Sequence, residues 1–274
     1  MSDNKAKISD SLKEETAPKN FKKKPINGTK FTIMVSSAKG GVGKSTFAIN
    51  LTFALQKKGK KVGLLDADIY GPSLPKMIGL KEKPKTDGKL LFPLEKYDAQ
   101  FMSLGFLVDD KTPMIWRGPM VISAIKTLTE KVSWKELDFL IIDMPPGTGD
   151  TQLTFAQDVK IDGAIIVSTP QELALMDVER GIQMFDKTKI KIVGLVDNMS
   201  FFISDDGKKH NIFGEGGVER TAKEFNKKFL GKIPISTKLR ESADLGLPLT
   251  YKEPDNEISK VFSEIADKIM QDFV

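Results

Sequence analysis

The sequence predicts an α/β protein with a single doubly wound, mostly parallel sheet that carries helices on both faces. Apolar segments alternate with amphipathic helical segments along the chain, which is typical of parallel strands joined by crossover helices. The first apolar segment leads into a glycine-rich turn, and two later ones end in acidic residues. The chain of 274 residues, 40% of them hydrophobic, is large enough to bury a sizeable core as one domain.

The predicted elements follow from these alternating segments. Strands are predicted at residues 31–35, 61–65, 100–104, 137–142, 163–168, 190–196 and 229–235, and helices at about 44–58, 119–131, 173–187 and 217–227. Residues 81–99 are rich in Lys, Pro and Gly and predict an exposed connection.

The C-terminal segment predicts one more helix. Its apolar residues, among them Phe262, Ile265 and Ile269, recur at helical spacing. Its polar face carries more acids than lysines: Glu257, Glu264, Asp267 and Asp272 against Lys260 and Lys268. Helices that lie on anionic membranes are usually rich in Lys and Arg on that face. We therefore expect it to pack on the sheet as the closing helix.

The glycine-rich turn predicts a phosphate-binding loop. It reads Ser-Ser-Ala-Lys-Gly-Gly-Val-Gly-Lys-Ser-Thr over residues 36–46. Backbone N–H groups of such a loop and the dipole of the following helix bind an anion. We expect Lys44 to reach the outer phosphates of a nucleotide and Ser45 to offer its hydroxyl to Mg²⁺. A lysine-rich surface turn is the alternative, and it would not require strand, glycines, Lys-Ser pair and helix in this order.

Lys39 is a second lysine in the same loop. It lies too close to Lys44 in a short loop to reach the same phosphate, so we interpret it as a group that acts on a nucleotide held by a second subunit, in the manner of an arginine finger.

Carboxylates complete the predicted site. Asp66 and Asp68 follow the second strand, and Asp143 follows the strand at 137–142. The carboxyl ends of parallel strands form the edge where open α/β sheets bind ligands. Asp143 suits a Mg²⁺ position held through water, while Asp66 and Asp68 suit orientation of the metal shell and of the attacking water. For Asp66, a cap of the following turn or helix is the alternative.

At this point the chain resembles the Mrp/ApbC family of P-loop ATPases, which are implicated in carrying iron-sulfur clusters and are relatives of the nitrogenase iron protein and the Min and Par positioning ATPases. The resemblance runs from about residue 30 to the C-terminus. It rests on the strings SAKGGVGKST (37–46), LLDADIYGPSLPKMIG (64–79), WRGPM (116–120), DFLIIDMPPGTGDTQLTFAQ (138–157), IVSTPQELALMDVERGIQMF (166–185) and IFGEGG (212–217).

The resemblance implies a role for each matching residue. Lys39 is the signature lysine, and the catalytic group is completed by Lys44 and Asp68, the latter supporting water activation from a first switch. The phosphates are held by Gly40, Gly41, Val42, Gly43, Lys44, Ser45 and Thr46, and a second switch spans 143–149. Asn198 matches the residue whose amide reads the adenine base, with a strand-end turn residue as the alternative. The family acts as homodimers with ATP and Mg²⁺.

The cargo site departs from the family pattern. Many members carry a CxxC pair between the Asn-Met-Ser segment and the IFG segment, but this chain has no cysteine, and Phe-Phe-Ile-Ser-Asp-Asp-Gly-Lys occupies residues 201–208. Clusters and most structural zinc sites depend on thiolate ligands. The one histidine, His210, is interpreted as a solvated loop residue. No iron-sulfur ligand is therefore predicted.

Charge separates the chain into two parts. Residues 1–30 hold eight lysines and four acids, so most of the net charge of +5 belongs to this segment. We predict a disordered basic tail at 1–29 and an ATPase domain at 30–274. Lys22, Lys23 and Lys24 lack the aromatic residues that stack on bases, so a specific nucleic-acid partner is not expected. With no signal peptide and no long apolar run, a cytoplasmic location without membrane partners is expected.

Two classes of function remain open at this point. The chain is predicted to be an ATP-hydrolysing iron-sulfur cluster carrier or assembly factor with assembly or recipient proteins as partners, or else a nucleotide-dependent switch that holds no cluster of its own. A Min/Par-like positioning ATPase is the other class, and it would need a basic surface or a membrane-seeking helix.

Overall fold

A computed structural model describes residues 23–108, 118–147 and 149–273 of the chain. Among these residues, eight strands form one sheet in the order β10-β7-β6-β1-β5-β2-β4-β3. The strands are β1 (Thr29–Ser36), β2 (Val62–Asp66), β3 (Leu94–Lys96), β4 (Ala99–Ser103), β5 (Leu137–Asp143), β6 (Gly163–Ser168), β7 (Ile192–Asn198) and β10 (Phe229–Ile233). Only β3 runs antiparallel, against β4. A separate hairpin pairs β8 (Phe202–Ile203) with β9 (Lys209–His210).

Helices cover both faces of this sheet. They are α1 (Lys44–Lys57), α2 (Leu74–Met77), α3 (Gly118–Glu130), α4 (Asp150–Asp158), α5 (Glu172–Lys187), α6 (Gly217–Glu224), α7 (Thr237–Asp244), α8 (Leu249–Lys252) and α9 (Glu257–Met270), with a short 3₁₀ turn at Leu104–Phe106. One buried cluster contains residues of α1 and α9, and the other contains residues of α3, α5 and α6. The doubly wound, mostly parallel fold predicted from the sequence is confirmed.

The central strands bring the predicted site residues to one edge. β1 lies between β5 and β6, and β5 lies between β1 and β2. In the parallel register, Val35 aligns with Asp143 and Asp66 also aligns with Asp143. The phosphate-loop entrance and both strand-end carboxylates therefore meet at the carboxyl edge of the sheet.

Helix α9 closes the structure as the sequence predicted. Phe262, Ile265 and Ile269 are buried, and the ring of Phe262 lies 5.8 Å, centroid to centroid, from that of Phe47 in α1. The apolar face of this helix is thus used within the domain. No helix of the described residues is long and apolar enough to cross a bilayer.

The connection predicted at 81–99 is not wholly exposed. Leu94–Lys96 forms β3, which joins β4 through a two-residue turn at Tyr97 and Asp98, both with positive φ. Such turns are usually marked by Asn-Gly or Asp-Gly, a signal that this sequence lacks. The Tyr97 ring stacks on that of Tyr251 at 4.1 Å between centroids, so tertiary packing orders this edge.

The N-terminal segment packs against the domain from residue 24, earlier than the predicted boundary at residue 30. The Lys24 amide donates to Asp158 O at 3.0 Å, its carbonyl accepts from Lys160 N at 2.8 Å, and Ile26 is only 2% exposed. Because Ile26 fills an apolar site on the domain, this part of the predicted tail is ordered. The remaining tail prediction, for residues 1–22, lies outside the described residues, as do Trp116 and Arg117 of the WRGPM string and Thr148 of the second switch.

Candidate nucleotide-binding site

The glycine-rich loop joins the end of β1 to the start of α1. Gly41 and Gly43 both have φ of +81°, a left-handed conformation that side chains with a Cβ rarely adopt. A Cβ on Gly43 would also lie 2.3 Å from Asn198 Nδ2. The chain therefore needs glycine here to turn tightly and enter a helix, which is the geometry of an anion-binding loop.

Lys44 is the first residue of α1 and is only 6% exposed. Its ammonium donates to the carboxylate of Asp143 on β5, and it lies 3.4 Å from Ser45 Oγ. Buried charges are retained in proteins when they are paired. The structure thus brings together Lys44, Ser45 and Asp143, although they come from two elements 99 residues apart in sequence.

Asp66 is buried at 1% exposure beside Asp143. Its carboxylate accepts hydrogen bonds from Asp68 N at 3.0 Å, Leu74 N at 3.2 Å and Ser103 Oγ at 3.0 Å. Burial first, and then the charge of Asp143, raise the pKa of Asp66 well above its usual range. In this geometry Asp66 fixes the segment that carries Asp68, as the turn-capping alternative expects, and its role toward a metal ion stays a prediction.

Asp68 and Lys39 stand at the solvent side of the site. Asp68 is partly exposed and accepts from Gly71 N at 3.3 Å, and burial raises its pKa while the charge of Lys44 lowers it. Lys39 is exposed, and among the described residues its ammonium has no hydrogen-bond or ion-pair partner. Its carbonyl accepts from Ser37 Oγ at 3.0 Å, which orders the loop backbone under the side chain. Lys39 therefore takes no part in the contacts that hold Lys44 beside Asp143.

Asn198 ends β7 beneath the loop and is 7% exposed. Its Nδ2 donates to Val42 O at 2.7 Å. In the described structure this amide supports the phosphate-binding loop; recognition of adenine by Asn198 stays a prediction.

Three further buried polar residues at this edge were not predicted. Ser103 aligns with Asp66 on the neighbouring strand and donates to it, and Gln152 of α4 bonds both to the end of β1 and to the turn after β5. Asp197 is fully buried, and neither of its carboxylate oxygens has a hydrogen-bond partner among the described residues. Burial raises the pKa of Asp197 to about 7. Asp197 was detectable in the sequence as an acid inside an apolar strand. Ser103 and Gln152 were not detectable, because their hydrogen-bond partners come from distant segments.

The segment where the resemblance leads one to expect a CxxC pair is the β8–β9 hairpin. Ser204 Oγ donates to Asp206 Oδ1 and lies 3.1 Å from both Lys208 O and His210 Nε2, so this small network stays within the hairpin. Among the described residues, no group of three or more His, Cys, Asp or Glu side chains could hold a metal ion. The donors present are oxygen and imidazole nitrogen, which suit harder or borderline metals rather than a cluster.

The sheet order, the glycine loop and the Lys44–Asp143 pair define this chain as a P-loop NTPase. A family model described as "ParA: NUBPL iron-transfer P-loop NTPase" matches residues 28–270, and the chain belongs to that family.

Relatives of known description agree with this assignment. The chain is 45% identical over 249 residues to the "Iron-sulfur protein required for NADH dehydrogenase, mitochondrial" of Arabidopsis thaliana, covering 90% of this chain and 80% of the relative. It is 45% identical over 255 residues to the "Iron-sulfur cluster carrier protein" of Escherichia coli K12, covering 92% and 69%.

Solved structures share the fold. A nucleotide-binding protein from Archaeoglobus fulgidus, in complex with ADP, superposes with a TM-score of 0.74 at 38% identity and covers 86% of this chain and 93% of its own. The MinD cell division ATPase of Pyrococcus furiosus superposes with a TM-score of 0.65 at 22% identity, covering 88% and 98%, and at that identity it supports the fold alone.

Proposed function

We propose that this chain binds and hydrolyses ATP with Mg²⁺ and acts as a nucleotide-dependent factor in iron-sulfur cluster assembly or transfer. The observation that carries the nucleotide part is the buried Lys44–Asp143 pair at the head of α1, directly after two glycines in the left-handed conformation. Membership of the iron-transfer family and the carrier relatives support the cluster-related part.

The donor set fits the nucleotide and its metal. The loop backbone and the N-terminus of α1 suit phosphate oxygens, and the Ser45 hydroxyl and Asp143 carboxylate are the hard oxygen donors that Mg²⁺ prefers. When bound, Mg²⁺ would neutralise charge on the phosphates. Lys44, which pairs with Asp143 in this structure, is proposed to bind the outer phosphates. Asp68, part-buried at the start of the segment after β2, is proposed to orient the attacking water.

In this proposal the chain takes part in cluster assembly or transfer through other proteins or external thiols, which supply the cluster ligands. The chain has no cysteine, so four thiolate ligands cannot come from two copies of it. In this proposal the nucleotide state sets the conformation that is presented to assembly or recipient proteins. The chain acts as a homodimer in which Lys39 of one subunit acts on the nucleotide of the other, and it works in the cytoplasm.

A substitution at Asp143 tests the nucleotide part. Asp143→Asn removes the charge proposed to hold Mg²⁺ through water, so kcat for ATP hydrolysis should fall about 100-fold or more. Asp138→Asn, on the same strand but at its opposite end, is the matched control, because the Asp138 carboxylate accepts from Lys61 N and contacts none of the predicted site residues among those that the structure describes. Magnesium-dependent phosphate release by the purified protein is the measurement. Absence of ATP turnover in the unsubstituted protein, or equal loss in both variants, would refute the proposal.

A further inference from the structure

Gln152 is a buried polar side chain that the nucleotide chemistry described above does not use. It lies on α4 with 1% exposure, while the next residue, Leu153, is 37% exposed. Its Oε1 accepts from Ser36 Oγ at 3.0 Å, and its Nε2 donates to Pro145 O at 2.7 Å. Both ends of the amide are therefore engaged, and by two different segments.

The two partners belong to the two segments that build the nucleotide site. Ser36 is the last residue of β1, where the chain enters the phosphate-binding loop. Pro145 lies two residues after Asp143, in the turn formed by residues 144–147. Backbone bonds from Met144 N to Val35 O at 3.1 Å and from Gly147 N to Ser37 O at 2.8 Å also hold this turn. Gln152 adds a side-chain bridge that connects this turn and α4 to the end of β1.

We propose that Gln152 is a positioning residue that fixes the turn at 144–147 against the end of β1, and so sets the position of Asp143 relative to Lys44. This inference deepens the proposed ATP hydrolysis at the same site. Because one amide bonds the turn while its backbone belongs to α4, a displacement of the turn must either break a buried hydrogen bond or move α4 with it.

The bridge requires a side chain that both accepts and donates a hydrogen bond. One end must accept a hydrogen bond from a hydroxyl, and the other must donate one to a carbonyl. A neutral carboxyl group can reproduce both, since its O–H donates and its C=O accepts. An ionised carboxylate cannot donate, and it places a negative charge against the Pro145 carbonyl.

Gln152→Glu therefore converts the bridge into one that depends on pH. Burial raises the pKa of a carboxyl at such a position, so the variant keeps the bridge at about pH 5.5 and loses it at about pH 8.5. Hydrogen exchange of the Met144 and Gly147 amides in the variant should match the unsubstituted protein at the lower pH. At the higher pH it should be roughly tenfold faster once intrinsic exchange is corrected, as expected for a lost buried hydrogen bond.

Hydrolysis gives the second measurement. Relative to the unsubstituted protein, kcat of Gln152→Glu should fall about tenfold across the same pH range, while KM for ATP changes less than about threefold. Gln157→Glu is the matched control, because it places the same carboxyl on the same helix without a bridging contact among the described residues. Its kcat ratio and exchange should not depend on pH.

Ser36→Ala covers the case in which Gln152→Glu unfolds at high pH. It removes the hydroxyl donor alone and should speed exchange at 144–147 about threefold at every pH. Exchange and kcat in Gln152→Glu that follow those of Gln157→Glu would overturn the inference, as would unchanged exchange in Ser36→Ala if the first variant unfolds. If the unsubstituted protein hydrolyses no ATP, the proposed function fails, and the exchange measurements alone still decide the role of Gln152.

Discussion

The nucleotide edge, which is the carboxyl edge of the sheet where Lys44, Asp66 and Asp143 meet, is built differently from the β8–β9 hairpin. At the nucleotide edge, Lys44 and Asp143 are buried, and distant segments converge on them. In the hairpin, Ser204, Asp206 and His210 are joined by contacts that span six residues or fewer, and most of their neighbours are exposed. Buried polar networks are costly to disturb, whereas exposed local ones are not.

The comparison indicates that the two halves of the family chemistry are separable. The nucleotide edge retains every group that the resemblance requires, while the cargo position offers no thiolate. β7 connects the two: Asn198 at its end supports the phosphate-binding loop, and the hairpin begins four residues later. The hydrogen bonds that hold Lys44, Asp143 and Asp66 involve no described residue of the hairpin. The sequence of the hairpin can therefore change while the nucleotide edge stays the same.

The largest effect is expected from the two lysines of the loop. Lys44→Ala removes the cation proposed to bind the phosphates and leaves the Asp143 carboxylate buried without its partner, so ATP affinity should fall about 100-fold or more. Lys39→Ala removes an exposed cation, so affinity should change little while hydrolysis falls. Titration calorimetry with ATP and turnover assays on both variants separate these outcomes. Equal loss of affinity in the two variants would contradict the action of Lys39 across a dimer.

Cluster reconstitution tests the other side of the comparison. The purified protein, incubated anaerobically with iron and sulfide but without small thiols and then desalted, should retain no stoichiometric cluster, because it supplies no thiolate. Iron and sulfide analysis is the measurement. The parallel sample with glutathione supplies thiols from outside. Retained cluster in the thiol-free sample would show that other donors of this chain suffice.

Asp197, on the strand between the two regions, predicts a pH-dependent stability. Its pKa is about 7 in the folded protein and about 4 when unfolded, so folding takes up a proton between these values and stability falls as pH rises through this window. Asp197→Asn has no carboxyl to ionise, so it does not lose this stability as pH rises. Its stability relative to the unsubstituted protein should therefore improve by on the order of 2 kcal/mol between about pH 4 and about pH 8.

Urea unfolding at both pH values measures this change. Asp205→Asn, at an exposed aspartate of the hairpin connection, is the control and should show no such difference. A stability difference for Asp197→Asn that is the same at both pH values would mean that folding does not raise the pKa of Asp197.

The smallest effect is expected in the hairpin itself. His210→Ala removes an exposed ring whose described contact is with Ser204, so the free energy of unfolding should change by less than about 0.5 kcal/mol and ATP turnover by less than about twofold. Denaturant titration and the turnover assay are the measurements. A large loss of turnover would mean that the hairpin is coupled to the nucleotide edge, although its described contacts are local.

The sequence by itself determined the fold class and the main groups of the nucleotide site. Strand periodicity and the Gly-Gly-Val-Gly-Lys-Ser run are local patterns, and parallel strands necessarily place their carboxyl ends at one edge, so the meeting of Lys44 with Asp143 followed from topology. The closing role of α9 also followed, because its apolar spacing and acidic polar face are properties of a single segment.

Only the tertiary structure decided the features that depend on distant partners. The Tyr97–Asp98 turn has no local signal and is ordered by the stacking of Tyr97 on Tyr251. Ile26 resembles part of a polar tail until the domain surface that buries it is formed. Gln152 is one polar residue among several on its helix, and its bridge exists because β1, the turn after β5 and α4 converge. Pairing between residues far apart in sequence depends on packing, which no local pattern records.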